Sequence, residues 1–218
     1  MWGVLFAIGF FIFIGIGYWW TGVLEKRRRE DLIRLSQELG LELSWQLMPG
    51  DQNRFDRFVL SKKGYRRKSG ICLTAETDQT RMTIFDFDFE TGQGKNKEIA
   101  HFVFTMCIDS QLQAPQLSLR PSTWGARLAE FVGRRDIDFP EDPEFSKTFV
   151  LRGPDEEAIK GFFTPSRRRA MLAYPEQNLE ICDNTILIVR RNTRLDAKMV
   201  KSYMNETLRI TRALVGSS

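Results

Sequence analysis

The chain has few of the residues from which metal sites and nucleophilic active sites are commonly built. It holds one histidine, His101, and three cysteines, Cys72, Cys107 and Cys182, among 218 residues. The cysteines are widely spaced and odd in number, so they form neither a Cys/His zinc pattern nor a disulfide framework. Two of them fall in apolar, strand-like runs, which predicts small core residues in a reducing compartment. We therefore predict no metal, no cofactor and no catalytic residue.

A phosphate-binding loop is also missing. Segment 91–97 reads TGQGKNK. The pattern G-x-x-x-x-G-K-[ST] would require glycine where Phe89 stands and serine or threonine where Asn96 stands, with a helix to follow. An apolar strand-like run follows instead. The glycines of this segment are therefore interpreted as turn residues.

One long apolar run opens the chain. Trp2 to Leu24 carry no formally charged side chain, and about 23 residues suffice to cross a bilayer as a helix. Trp2 at one end and Tyr18, Trp19 and Trp20 at the other are typical of interfacial aromatic belts. A signal peptide is the alternative, but a basic n-region and an A-x-A site are missing and the run is too long. Residues 1–24 are predicted to be a retained transmembrane anchor in the lipid bilayer.

Basic residues follow this run directly. Lys26, Arg27, Arg28 and Arg29 form a cluster that should remain in the cytoplasm, which predicts an outside N-terminus and a cytoplasmic domain. The same cluster would lie at anionic lipid headgroups. Because it supplies much of the net charge of +4, no nucleic-acid partner is expected.

A β-hairpin between Ile84 and Ile108 is predicted to organise the soluble part. Apolar residues alternate with other residues in both runs, as in half-buried strands. If the aromatic residues of both strands share a face and the loop is centred near Gly94 and Lys95, Phe87 pairs with Phe102 and Phe85 with Phe104. The hairpin then contributes six large apolar side chains to one core: Phe85, Phe87, Phe89, Phe102, Phe104 and Met106.

The same register sets Asp88 opposite His101. With Asp86, these residues form a candidate polar site, and a carboxylate beside the imidazole would favour its charged form. One interpretation is an acid–base dyad. The other is a cross-strand charge pair worth under about 1 kcal/mol. The sequence favours the second interpretation, because neither a nucleophile nor a set of metal ligands accompanies the pair.

The remaining patterns predict an α+β fold, in which an N-terminal transmembrane helix precedes a mostly antiparallel sheet domain with segregated helices. A juxtamembrane helix is predicted over 25–40, a β-rich subdomain over 41–121 and an α+β subdomain over 122–218. Residues 62–68 are interpreted as a basic loop, Pro49–Asp51 as a turn and 123–132 as a helix. Phe139 and Phe145 are expected to enter the core from a proline-stiffened loop.

Three blocks carry a resemblance: FDFDFETGQGKN, RRDIDFPEDPEFSKTFVLRGPDEEAI and the late strand ILIVRR. They are similar to an uncharacterised family of bacterial single-pass membrane-anchored proteins. The resemblance implies a bacterial source, the cytoplasmic membrane and a shared fold. It implies no activity, so no catalytic residue is transferred.

Two classes of function follow from these observations. The first is a non-catalytic interaction or accessory subunit of a membrane-associated assembly, with a membrane protein as partner. The second is a ligand-binding or enzymatic domain that uses the face of Asp86, Asp88 and His101. A deep pocket over these residues would favour the second class, whereas a buried ion pair would favour the first.

Overall fold

The computed structural model describes residues 2–92, 94, 97–123, 136–191 and 193–216, and residues 2–18 by their backbone alone. The helices are α1 (Trp2–Leu39), α2 (Pro49–Phe55), α3 (Pro143–Thr148), α4 (Glu156–Phe162), α5 (Pro165–Leu172) and α6 (Ala197–Val215), with a 3₁₀ helix at Leu60–Lys62. The strands are β1 (Glu42–Ser44), β2 (Tyr65–Glu76), β3 (Thr80–Thr91), β4 (Glu98–Asp109), β5 (Ala114–Pro121), β6 (Phe149–Arg152), β7 (Leu179–Asp183) and β8 (Thr185–Arg191).

All eight strands form one antiparallel sheet in the order β1-β2-β3-β4-β8-β7-β5-β6. The α+β class predicted from the sequence is confirmed. The central pairing of β4 with β8 joins strands from the two predicted subdomains, and β5 lies between β6 and β7. Strands of residues 41–121 and of residues 122–218 therefore share a continuous sheet.

The hairpin of β3 and β4 has the predicted register. Phe85 pairs with Phe104, Phe87 with Phe102 and Asp88 with His101. All six predicted core residues are buried on what we call the aromatic face of the sheet, where Phe55 of α2 makes edge contacts with Phe85 and Phe87 at ring-centre distances of 5.2 and 5.0 Å. Ring pairs at such distances stabilise a core beyond the area that they bury.

The opposite side, here the helix face, carries most of the helices. Leu32 and Leu35 of α1 and Val200 of α6 pack with Ile84 and Val103 of the hairpin. Over β5 to β8, residues of α3 to α6 form a second core that also includes Phe139 and Phe145, as the sequence predicted. Successive strand residues point to opposite faces, so Asp86 and Asp88 lie on the helix face, beneath α1.

Helix α1 is continuous from Trp2 to Leu39, across the predicted boundary between anchor and juxtamembrane helix. Gly40 ends it with a left-handed φ of 64°, a conformation that glycine adopts without steric cost. The side chains of most of the predicted membrane span lie outside the described set. Within the described part of the chain, no helix is both long enough and apolar enough to cross a membrane.

Two local predictions are wrong. Pro49 does not begin a turn but α2, because proline fits the first helical turn, where its missing N–H group would have no partner. Tyr65 to Lys68 are not a loop but the start of β2, where irregular pairing with β3 accommodates the basic residues at the end of the sheet. The helix predicted for 123–132 lies almost wholly outside the described residues.

Candidate functional site

The predicted polar residues lie where α1 reaches the helix face. Asp86 is buried, and its side chain retains only 5% of its exposure. Its Oδ2 accepts a hydrogen bond of 2.7 Å from Nη1 of Arg28, and its Oδ1 accepts one of 2.6 Å from the backbone N–H of Leu195. Both carboxylate oxygens are thus occupied by partners distant in sequence, which joins α1 and the segment before α6 to β3.

Arg28 binds three partners at once. Its Nη1 also donates to the carbonyl oxygen of Leu195 at 2.7 Å, while Nε and Nη2 donate to Glu25 at 3.0 and 2.8 Å. Burial opposes the charged guanidinium, but the hydrogen bonds to Glu25 and Asp86 outweigh it and raise the pKa of Arg28. Hydrogen bonds from Arg28 in turn lower the pKa of Glu25. Arg28 therefore holds α1 on the domain as a permanent cation.

The second predicted carboxylate belongs to a more open group. Asp88 Oδ1 lies 2.8 Å from Nδ1 of His101, and its Oδ2 accepts a hydrogen bond of 3.2 Å from Nη2 of Arg194. The same Arg194 nitrogen lies 3.0 Å from His101 Nδ1. That ring nitrogen can donate to Asp88 or accept from Arg194, but it cannot do both in one tautomer. The side chains of Asp88 and His101 are about one third exposed.

Chemically, this arrangement is an ion-pair network. A cavity of about 260 Å³ lies above it and is lined by Arg28, Arg29, Trp45, Lys68 and Asp88, among others. Metal-binding groups of three or more His, Cys, Asp or Glu side chains are absent from the described residues. The three cysteines are free and buried, and burial raises the pKa of the Cys72 thiol to about 12 and that of Cys107 to about 11. Neither thiol is suited to act as a nucleophile.

The predicted membrane-interface residues occupy α1. Trp19 and Trp20 are exposed, as are Lys26, Arg27 and Arg29, whereas Trp2 and Tyr18 have no described side chains. Arg28 differs from its basic neighbours, because its side chain faces the sheet whereas theirs are exposed. Helical geometry explains this division, since Arg28 lies one turn before the buried Leu32 on the same side of α1.

Sequence reasoning missed the roles of Glu25, Arg28, Arg194 and Leu195. Glu25 and Arg28 are spaced for contact on one helix face, but their sheet partner Asp86 follows Arg28 by 58 positions. Leu195 contributes only backbone groups, whose positions no side-chain pattern reveals. The apolar positions Leu32 and Leu35 were the available signal, since they predict which side of α1 faces the core.

A further buried carboxylate was also missed. Glu180 of β7 lies on the aromatic face, and its Oε2 accepts a hydrogen bond of 2.8 Å from the backbone N–H of Val59. Burial raises the pKa of Glu180 to about 7, although the hydrogen bonds from Val59 and Leu60 oppose the shift. Burial likewise lowers the pKa of neighbouring Lys63 to about 8. Glu180 thereby holds the start of the 3₁₀ helix against the sheet.

Comparison of the chain with protein-family models, curated proteins and solved structures finds no match. The resemblance to bacterial membrane-anchored proteins stays a prediction.

Proposed function

We propose that this chain is a single-pass protein of the bacterial cytoplasmic membrane and a non-catalytic interaction or accessory subunit of a membrane-associated assembly. Residues 2–24 form the anchor, with the N-terminus outside and the α+β domain in the cytoplasm. The apolar run and the one-sided basic flank support this topology. The partner is the bilayer together with another membrane protein.

The ion pair of Arg28 with Asp86 carries the proposal. It lies four residues after the predicted span, and its Arg28 and Asp86 side chains retain 14% and 5% of their exposure. Buried pairs of this kind are costly to break once formed. The connection between anchor and domain is therefore a docked helix and not a flexible linker. A fixed connection suits a protein that presents a surface at a set distance from the membrane.

The geometry gives weaker support to an enzyme or ligand-binding domain that uses the face of Asp86, Asp88 and His101. Pockets for small molecules usually enclose about 300–1,000 Å³ and surround their ligand, whereas the cavity above Asp88 is about 260 Å³. Both oxygens of Asp86 already have protein partners. The part-exposed group of Asp88, His101 and Arg194 is the observation that favours this second function.

The anchor and partner are tested on the full chain and on a chain lacking residues 2–24. The full chain should stay in membranes after an alkaline carbonate wash, and the shortened chain should be released. Purification in mild detergent should then yield a membrane protein in fixed stoichiometry with the full chain. Release of the full chain by carbonate, or its purification without a partner, would contradict the proposal.

The catalytic alternative is tested with His101→Gln and Asp88→Asn. Both side chains lie at the surface in pairs of low value, so both variants should fold with nearly unchanged stability and should complement a deletion strain as well as the original chain does. A folded His101→Gln variant that fails to complement would favour the alternative function.

A further inference from the structure

Positive charge is concentrated at one end of the sheet. We call it the basic end, where β2 and β4 begin and β3 and β8 finish. Its described cations include Arg66, Arg67, Lys68, Lys97, Arg191 and Arg194. Three described carboxylates lie at this end. Glu90 is paired with Arg66, Asp88 lies beside His101 and Arg194, and Glu98 lies at the start of β4. The strand ends and turns at the opposite end carry Glu76, Asp78, Asp109 and Asp183.

Helix α1 extends from the domain at this same basic end. Along β3, Asp86 contacts Arg28, whereas Ile84, farther from the basic end, packs in the core that includes Leu32 and Leu35. The helix therefore runs away from the basic end as the chain proceeds. Its earlier residues, towards Trp20 and Trp19, extend in the direction in which β3 reaches its tip.

The two elements reach similar distances beyond the Arg28–Asp86 pair. From Asp86 to Thr91, β3 extends five residues, which is about 17 Å at the rise of an antiparallel strand. From Arg28 back to Trp19, α1 extends nine residues, which is about 14 Å. With the axes of α1 and β3 taken as antiparallel, the end of β3 at Thr91 falls near the level of Trp19 and Trp20, the residues expected at the membrane interface.

The side chains at the tip combine apolar and basic character. Ile99 is 60% exposed and Tyr65 is 38% exposed, although both lie in strands. Tyr65 donates a hydrogen bond of 2.7 Å to the carbonyl oxygen of Gly92, and Lys97 lies 5.9 Å from its ring centre. Arg66 has a left-handed φ of 51°, uncommon for an arginine, within the irregular start of β2. This local distortion accompanies three consecutive exposed basic residues, Arg66 to Lys68.

We propose that the basic end is a second membrane contact, at which the tip of the β3–β4 hairpin and the start of β2 lie on anionic phospholipid headgroups. Ile99 and Tyr65 enter the interfacial layer, while Arg66, Lys68 and Lys97 bind lipid phosphates. A basic residue close to such a surface contributes about 1 kcal/mol of attraction. This inference rests on the proposed anchoring by α1, which brings the basic end to the bilayer. An acidic protein surface is the competing partner.

The test uses the full chain in vesicles of phosphatidylcholine, with or without phosphatidylglycerol. Ile99→Cys carries an environment-sensitive fluorophore, and Asp78→Cys at the opposite end is the matched control. Because the native thiols are buried, the introduced thiol is labelled selectively. Quenching by a nitroxide on the lipid headgroups should be several-fold stronger at position 99 than at position 78, and this difference should be larger in anionic than in neutral vesicles and should weaken at high salt.

A companion variant adds Lys68→Glu and Lys97→Glu to Ile99→Cys. It should float with the vesicles but lose most of the quenching. Equal quenching at positions 99 and 78, or quenching independent of phosphatidylglycerol or of the two lysines, would overturn the second contact while leaving the anchor in place. Failure of the labelled chain to float with any vesicle would instead contradict the proposed anchor.

Discussion

At the scale of single residues, Asp86 determines how α1 is attached. Asp86→Ala removes the partner of a cation with little access to water, and breaking one side of a buried pair typically costs about 3–5 kcal/mol. We expect a loss in the free energy of unfolding near the lower end of that range, because Glu25 still binds Arg28. Chemical denaturation of the full chain in mild detergent, followed by circular dichroism, measures the loss.

The control is Glu30→Ala on the same helix. Glu30 lies 3.9 Å from Lys26 in a pair whose side chains are 55% and 79% exposed, so its removal should change stability by less than about 0.5 kcal/mol. If both variants unfold at the same denaturant concentration, the pair of Arg28 with Asp86 does not hold α1 on the sheet.

Glu180 should make stability depend on pH. Its pKa is about 7 in the folded protein against 4.5 for an unperturbed group, so its contribution is greatest below pH 4.5 and is lost as the pH rises through 7. Between pH 5 and 8.5, the original chain should therefore lose on the order of 2 kcal/mol relative to Glu180→Gln. Denaturation of both chains at the two pH values gives this difference, and parallel pH profiles would contradict it.

At the scale of secondary-structure elements, the hairpin of β3 and β4 supplies much of the core on the aromatic face. Phe87 is buried against Phe55, Phe89 and Phe104. Phe87→Ala should cost about 3–5 kcal/mol, because the rigid surroundings leave a cavity. Ile99→Ala at the exposed tip should cost about 0.5 kcal/mol or less. Should the two variants have the same denaturation midpoint, the aromatic face is not the core of the domain.

The start of β2 depends on a glycine. Gly64 has a φ of 61°, and a Cβ atom there would lie 2.4 Å from Cδ2 of Phe89 and 2.5 Å from the carbonyl oxygen of Glu90. Gly64→Ala should therefore add a steric clash to the cost of a left-handed backbone, about 1–2 kcal/mol. Gly94→Ala shares the same φ but has open space, so only the backbone cost applies. In thermal unfolding, the melting temperature of Gly64→Ala should lie clearly below that of Gly94→Ala. The reverse order would refute the clash.

The hairpin register was predictable from sequence for two reasons. The two alternating runs share an apolar face only if the numbers of paired residues add to an odd number, and the glycine-bearing loop between the runs fixes where the pairing is centred. The strands β6, β7 and β8 and helix α6 coincide with periodic apolar runs bounded by start and turn residues, which is a local signal that the sequence carries. Helix α2 was missed because Pro49 and Gly50 suit a turn as well as a first helical turn. The pair of Arg28 with Asp86 depends on the tertiary fold, and no local pattern reports it.

At the scale of the whole molecule, topology is the property to test first. A cysteine added after the last residue should resist a membrane-impermeant maleimide in intact bacteria and react after lysis, because the proposed topology, based on the basic flank, places the domain in the cytoplasm. The native cysteines contribute little background, since all three are buried. Labelling in intact cells would contradict the proposed orientation and would mean that the domain lies outside the cytoplasm. A cysteine on the outer side of another cytoplasmic-membrane protein serves as the positive control for reagent access.

The central position of β4 also has a consequence for synthesis. In β4, Thr105 pairs with Ile84 of β3 on one side and with Ile188 of β8 on the other. Ile188 follows Thr105 by about 80 residues along the chain. At ribosomal rates of about 5–20 residues per second, the backbone edge of β4 that pairs with β8 remains unpaired for several seconds before β8 is synthesised. Unpaired edges of this kind recruit other chains. Truncations before β8 should therefore produce aggregating chains and not partly active ones, because only β8 pairs with that edge of β4.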